Sequence, residues 1–147
     1  MSFVADEIAN AKRLLGLSDT VLGRLSLDDG NAIIAEAESR FVLSQGIIWW
    51  WEDLRPPSLS RYCPDGDGWR KLVDLAPCGR SPVWFIAAAD DWPVYESTVG
   101  IVQRILGECN GFEFYIVSHD YEWLMGENHH NFLFVSGEPA ATNLANW

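Results

Sequence analysis

The stretch Phe112-Glu113-Phe114-Tyr115-Ile116-Val117-Ser118-His119-Asp120-Tyr121-Glu122-Trp123-Leu124-Met125-Gly126-Glu127-Asn128-His129-His130-Asn131-Phe132-Leu133-Phe134-Val135-Ser136 decides the fold. Phe112 to Ser118 alternates, with Phe112, Phe114 and Ile116 on one side and Glu113, Tyr115 and Val117 on the other, which is the period of a strand. His119-Asp120 is turn-like, and Tyr121 to Met125 reads as the returning strand. Gly126 to Asn131 reads as a second turn and Phe132 to Ser136 as a third strand. Three short strands joined by tight turns predict an antiparallel meander.

Upstream, Tyr95, Val99, Val102, Leu106 and Cys109 recur at helical spacing behind Pro93, so a helix is expected over Val94–Cys109, ended by Asn110-Gly111. Before it, Val83 to Ala89 is an apolar run of strand composition. Ile47-Ile48-Trp49-Trp50-Trp51 has the same character, with Trp49 and Trp51 on one side and Trp50 on the other. Between these two runs, Pro56, Pro57, Pro64, Gly66 and Gly68 mark an irregular stretch from Arg55, and Asp67 is placed to cap a short helix holding Trp69, Leu72 and Val73. The N-terminal third is helical: Val4, Ile8, Ala11 and Leu15 form one stripe closed by Gly16. Ser18 or Asp19 is placed to cap a short second turn through Val21, Leu22 and Leu25. A third helix, capped by Asp28 or Asp29, carries Ile33, Ala37 and Phe41 on one face and the pair Glu36/Arg40 on another. The expectation is one α+β domain over residues 1–147: N-terminal helices plus the helix Val94–Cys109, packed on a mainly antiparallel sheet of about five strands, the N-terminal helices on one face.

Composition narrows the function. The chain has 147 residues, 48% hydrophobic and 21% charged, which excludes a disordered polypeptide. Its formal charge is −11. Such a chain is repelled by phosphate backbones and anionic lipid, so neither nucleic acid nor membrane is an expected partner. The charge is uneven, because residues 81–147 hold nine acidic residues and one base, Arg104. Met1 to Glu7 carries two acids and no base, the opposite of a secretory n-region, and the run Val83–Ala89 is too short to span a bilayer, so a cytoplasmic location is expected. Cys63, Cys78 and Cys109 are widely spaced without a C-x-x-C pair, so they read as reduced thiols.

Motifs for catalysis are thin. Ser118-His119-Asp120 has the residue types of a hydrolase triad, but neighbours in a strand point to opposite faces and no G-x-S-x-G elbow accompanies them. Asp65-Gly66-Asp67-Gly68 begins like a calcium loop, yet Trp69 and Ala76 stand where ligands are required. No phosphate loop or dinucleotide fingerprint is present. His119, His129 and His130, with Glu127 and Asp120, are candidate metal ligands; the same histidines also suit turns in which they bond nearby carbonyls. Asp90-Asp91 is either a functional pair or an acidic start to the next helix. The triple Trp is either a doubly buried strand or a recognition face.

Phe112 to Val117, Glu122-Trp123-Leu124, Glu127-Asn128-His129-His130 and Gly137 together resemble a family of small bacterial proteins of unassigned function, over about residues 83–137. In type — small, acidic, α+β, without catalytic motifs — the chain is also similar to immunity proteins of interbacterial toxin systems. Two functions follow as expectations. The first is an acidic protein-binding module, an immunity protein neutralising a basic toxin nuclease without cofactor, through Asp90, Asp91, Trp92, Glu96, Asp120, Tyr121 and Glu127. The second is a small metal-dependent enzyme using Glu127, His129 and His130, with Asp90 as a further group.

Overall fold

The computed structural model describes residues 3–147; Met1 and Ser2, which open the segment read for a leader, lie outside the described residues. In chain order the elements are α1 (Phe3–Leu14), β1 (Gly23–Arg24), α2 (Leu27–Phe41), β2 (Ser58–Tyr62), α3 (Leu72–Leu75), β3 (Pro82–Ala87), β4 (Val94–Thr98), α4 (Val99–Gly107), β5 (Phe114–Ser118), β6 (Trp123–Glu127), β7 (Phe132–Gly137) and α5 (Ala140–Ala145), with 3-10 turns at Trp50–Glu52 and Gly68–Lys71. The strands form one sheet in the order β1-β4-β3-β5-β6-β7-β2, every pair antiparallel.

Seven strands, rather than about five, correct the expected architecture. The meander is present as β5-β6-β7, with β6 shifted two residues later than Tyr121–Met125. Gly126 and Glu127 therefore belong to the strand, and the turn is confined to Asn128–Asn131. The residues expected to open the long helix form β4 instead. Tyr95 and Val99 lie four apart, which fits a helical stripe, but Val94-Tyr95-Glu96-Ser97-Thr98 also alternates, and the free edge of β3 takes it as a partner. β2 arises in the Pro/Gly-punctuated stretch, where every residue is exposed and only the ladder to β7 reveals a strand. The short turn expected after Ser18 is present, with Val21 N–H and Leu22 N–H donating to Ser18 O (3.1 and 3.0 Å), but it stops there, and Gly23–Arg24 pairs with β4 where the turn was expected to continue to Leu25.

Ile47–Trp51 is not a strand. The segment leaves α2, turns through Trp50–Glu52 and returns; Leu43 N–H donates to Asp53 O (2.9 Å) and Arg55 N–H to Phe41 O (2.8 Å), which pinch the base of this loop. Trp50 is 1% exposed and enters the core, while Trp49 stays 44% exposed.

The two sheet faces carry separate cores, so the N-terminal helices do not share one face. On the first face, Ile8 and Ala11 of α1, Leu72 and Leu75 of α3, Val102 and Ile105 of α4 and Leu144 of α5 belong to a cluster with Phe85, Phe114, Ile116, Met125 and Val135. On the second, Ala37 and Phe41 of α2 join Trp50, Ile86, Tyr115, Val117, Leu124 and Phe134. The alternation read from residues 112–118 is realised: Phe114 and Ile116 face the first core, Tyr115 and Val117 the second. α1 ends as expected at Gly16, whose φ of +66° suits a residue without Cβ. α2 is capped by Ser26, whose Oγ accepts from Asp29 N–H (3.2 Å), and not by either aspartate. Asp28 and Asp29 fall in the first turn, where the helix dipole favours carboxylates. Glu36 and Arg40 pair at 2.8 Å. Among the described residues no helix is long and apolar enough to cross a membrane.

Candidate functional site

Strand register sorts the acidic residues onto two ends of the sheet. Ala87 pairs with Phe114, and Phe114 with Glu127, so the β3–β4 loop, the start of β5 and the end of β6 meet at one end. Val83 pairs with Ser118 and Trp84 with Glu96, which puts Glu96 and the β5–β6 turn at the other. Five-residue strands separate the ends by about 16 Å. Asp90, Asp91, Trp92 and Glu127 therefore lie at one end, and Glu96, Asp120 and Tyr121 at the other. The seven residues do not form one patch.

At the far end, Glu96 Oε2 lies 3.6 Å from His119 Nε2, and the His119 ring stacks on Trp84 with centroids 4.0 Å apart. Asp120 Oδ1 accepts from Glu122 N–H (3.2 Å), and Arg40 lies over the Tyr121 ring. At the near end, Asp90 Oδ2 accepts from Val4 N–H (3.0 Å) and Asp91 pairs with Arg24 (3.1 Å). Trp92 is no exposed anchor: its ring packs against Trp50 and Tyr115 in the second core. Glu127 is only 7% exposed.

The near end also gathers residues that the sequence reading did not single out. Asn110 N–H donates to Glu7 Oε1 (2.8 Å), tying the start of α1 to the turn after α4. Ala88 N–H donates to Glu113 O (2.8 Å), tying the β3–β4 loop to the start of β5. There an open cleft of about 530 Å³ is lined by Asp65, Trp69, Phe112, Glu113, Glu127 and Asn128 among others, with no Lys or Arg in its wall. Cys109 also lines it, and burial, with Glu7 and Glu108 beside it, pushes that thiol up to about 11, so it stays protonated near neutrality.

Glu113 and His129 form the ordered pair of the cleft rim. Glu113 Oε1 accepts from His129 N–H (3.2 Å) and from the His129 ring at Nδ1 (2.8 Å). A carboxylate only accepts, so the proton on that side of the ring sits on Nδ1. The His129 ring then lies 4.0 Å from that of His130 and 5.6 Å from Trp49, and Trp51 meets both histidines edge-on. Sequence reading placed Glu113 on a strand face and the histidines in a turn; only the pairing of β5 with β6 brings position 113 beside position 129. Asn128 supports the same turn, its Oδ1 accepting from His130 N–H (2.9 Å) and Phe132 N–H (3.1 Å).

The ligand set of the metal-dependent reading is not assembled. Glu127 turns under the sheet, where Oε2 accepts from Gly68 N–H (2.9 Å), and His129 is engaged by Glu113. Among the described residues no three His, Cys, Asp or Glu side chains are grouped to hold a metal ion.

Burial raises the pKa of Glu127, held back by the Gly68 and Trp69 amides and reinforced by Asp67. A carboxyl raised in the folded state contributes stability that is fully present below its unfolded value, about 4.3, and is lost as pH rises through the folded value. Glu127→Gln keeps an acceptor for Gly68 and carries no such penalty. Its melting temperature is expected to exceed that of the parent by a few degrees at neutral pH, and the two curves to converge below about pH 4 in a calorimetric pH series.

No curated protein and no solved structure matches the chain. A family model does match, over residues 1–147, beyond the segment 83–137 that carried the resemblance to proteins of unassigned function. The helices of the N-terminal third and the Trp run thus fall within the match, and the chain belongs to the family of unknown function DUF6756.

Proposed function

We propose that this chain is an acidic protein-binding module, an immunity protein that neutralises a basic toxin nuclease in the cytoplasm. One observation carries the reading: Glu7, Asp65, Asp91 and Glu108 come from four separate places in the chain and gather, with the buried Glu113 and Glu127, at one end of the sheet. Of the basic residues, Arg24 is tied to Asp91 and Arg70 lies over Trp69. A nuclease presents cationic side chains to its phosphate substrate, and an exposed carboxylate surface offers them negative charge in place of the phosphates. Such a surface steers encounter and sets register. Beside it, Ile48 is 72% exposed and Trp49 stacks on Trp51, which gives apolar contact area next to the charge.

The test is association with the protein encoded by the adjacent gene, followed by stopped flow across a salt series. Association is expected to slow steeply with salt, and the double variant Asp65→Lys/Asp91→Lys to lower the low-salt rate at least about tenfold and flatten the salt slope. Glu96→Lys/Asp120→Lys, at the opposite end, is expected to change the rate little. Absence of binding, or equal effects of the two double variants, overturns the reading.

A further inference from the structure

The sheet ends at β2, whose outer edge pairs with no strand. The ladder to β7 fixes which backbone groups stand on that edge. Gly137 N–H donates to Pro57 O and Cys63 N–H to Asn131 O (2.8 Å each), so the odd-numbered residues of this stretch bond inward to β7. In an antiparallel ladder the alternate residues turn both of their groups the other way. The N–H and C=O of Ser58, Ser60 and Tyr62 therefore face outward, and among the described residues they meet no backbone partner. The strand has none of the devices that commonly blunt such an edge: it holds no Pro, no Lys and no bulge. Its one charge, Arg61, is drawn to the first face, where Nη1 donates to Trp147 O (2.6 Å) and the guanidinium lies over the Trp147 ring.

An independent observation lies on the second face of the same edge. Ser60 is paired with Phe134, a residue of the second core, so Ser58, Ser60 and Tyr62 all point to that face. Tyr62 is 58% exposed, and its ring leans on that of Phe132 with centroids 5.3 Å apart. Toward the other end of the strand, the Trp loop overhangs the sheet and leaves an open groove of about 420 Å³. Trp51, Glu52, Leu54, Ser58, Ser60 and Phe134 are among its walls. One five-residue strand thus carries a projecting aromatic ring at its end and a groove beside its start.

We propose that β2 pairs with β2 of a second copy of this chain, antiparallel about a two-fold axis at Ser60, so that the Tyr62 ring of each copy enters the groove beside Ser58 of the other. This register sets Ser60 opposite Ser60 and Tyr62 opposite Ser58, and all the outward-facing N–H and C=O groups of both strands then find partners. Residues directly opposite in an antiparallel pair point to the same face with their Cβ atoms about 5 Å apart. The ring therefore arrives over position 58, where the groove is. A two-fold interface must be self-complementary, and a ring and a groove on one strand meet that condition, which favours a second copy over a foreign strand. Charge does not oppose the contact: the chain as a whole carries −11, but residues 46–80 hold five acids and five bases. The Tyr62 hydroxyl of one copy is a donor for the Glu52 carboxylate that lines the groove of the other.

Sedimentation equilibrium of the full chain is expected to show reversible growth to twice the chain mass as its concentration rises toward about 1 mM. Ser60→Pro removes an outward N–H that β7 does not use, a position where an edge strand tolerates proline. Tyr62→Ala removes the ring and leaves the backbone untouched, so it reads the same interface if Ser60→Pro disturbs β2. Each is expected to weaken association at least about tenfold. The register is read by mild oxidation in a Cys78→Ser background, which takes away the exposed thiol. Ser60→Cys is expected to give a disulfide-linked dimer, because residues opposite in such a pair have Cα atoms about 5.5 Å apart, within disulfide reach. Ser58→Cys alone is expected not to cross-link. A parent that stays monomeric, assembly beyond the dimer, a dimer indifferent to both substitutions, or cross-linking through position 58 instead of 60 overturns the proposal. A monomer whose binding to another protein is lost in Ser60→Pro also overturns it, and gives the edge to a strand of that protein.

Discussion

Gly126→Ala is expected to remove most of the stability of the fold, with a cost of about 4 kcal/mol or more in urea unfolding. A Cβ at this position would stand 2.2 Å from Phe114 O and 2.7 Å from the Phe134 ring. The first of these atoms is backbone, and it belongs to the strand that pairs with β6 from Phe114 to Val117. It cannot retreat without opening the ladder at the centre of the sheet. The ring contact has its own logic. Tyr115, Gly126 and Phe134 are aligned across β5, β6 and β7. Strands one apart from a central neighbour are about 9.6 Å from each other, yet the Tyr115 and Phe134 ring centroids are 5.4 Å apart, because both lean over the bare glycine. A methyl group would displace both rings together. A variant that unfolds at the same urea concentration as the parent would show that the strand relaxes around the methyl, and the account of this glycine would be wrong.

Trp50→Ala is expected to cost about 3–5 kcal/mol, the range for deleting a large aromatic from a packed core. Trp50 is 1% exposed, with its ring 4.8 Å from that of Tyr115 and 5.6 Å from that of Trp92. Its Nε1–H donates to Glu38 Oε2 (3.1 Å), so one residue ties the loop between α2 and β2 both to the second core and to α2. Trp50→Phe keeps part of the ring packing and loses this bond, so an intermediate cost is expected. The loop also presents Trp49 and Trp51 to His129 and His130, so Trp50→Ala is expected to loosen that cluster, read as faster amide exchange in residues 43–53. Trp49→Ala, at an exposed site, is the matched control and is expected to stay within about 1 kcal/mol of the parent. Equal costs for the two would contradict the division of the Trp run into one buried and two peripheral rings.

Local pattern was sufficient wherever it agrees with what the packed fold needs. The stripe Val4, Ile8, Ala11, Leu15 with Gly16 behind it becomes α1, because one period both forms the helix and supplies its buried face. The alternation of Phe112 to Val117 becomes β5, buried on both faces, and it already separated the residues of the two cores. The concentration of acid in residues 81–147 is likewise a property of the sequence alone.

Tertiary structure decided the rest, through pairing. Trp49 to Trp51 has every local preference for a strand, but the loop is pinched at its base by the Val42–Leu54 bridge, and Trp50 turns inward to the second core with its indole N–H on Glu38. β2 in turn has no local signal, with five exposed residues between proline clusters, and is a strand only because β7 offers its hydrogen bonds. β4 was hidden because Tyr95 and Val99 satisfy the helical and the extended period at once, and β3 chose between them. The same holds for the site. Glu113 and His129 are sixteen residues apart, and the distance that matters, 2.8 Å, is set by the turn between β6 and β7 folding back on the start of β5. Acid count is additive along a chain, so composition reports it; which carboxylates share an end depends on strand register, where a shift of one residue turns a side chain to the other face.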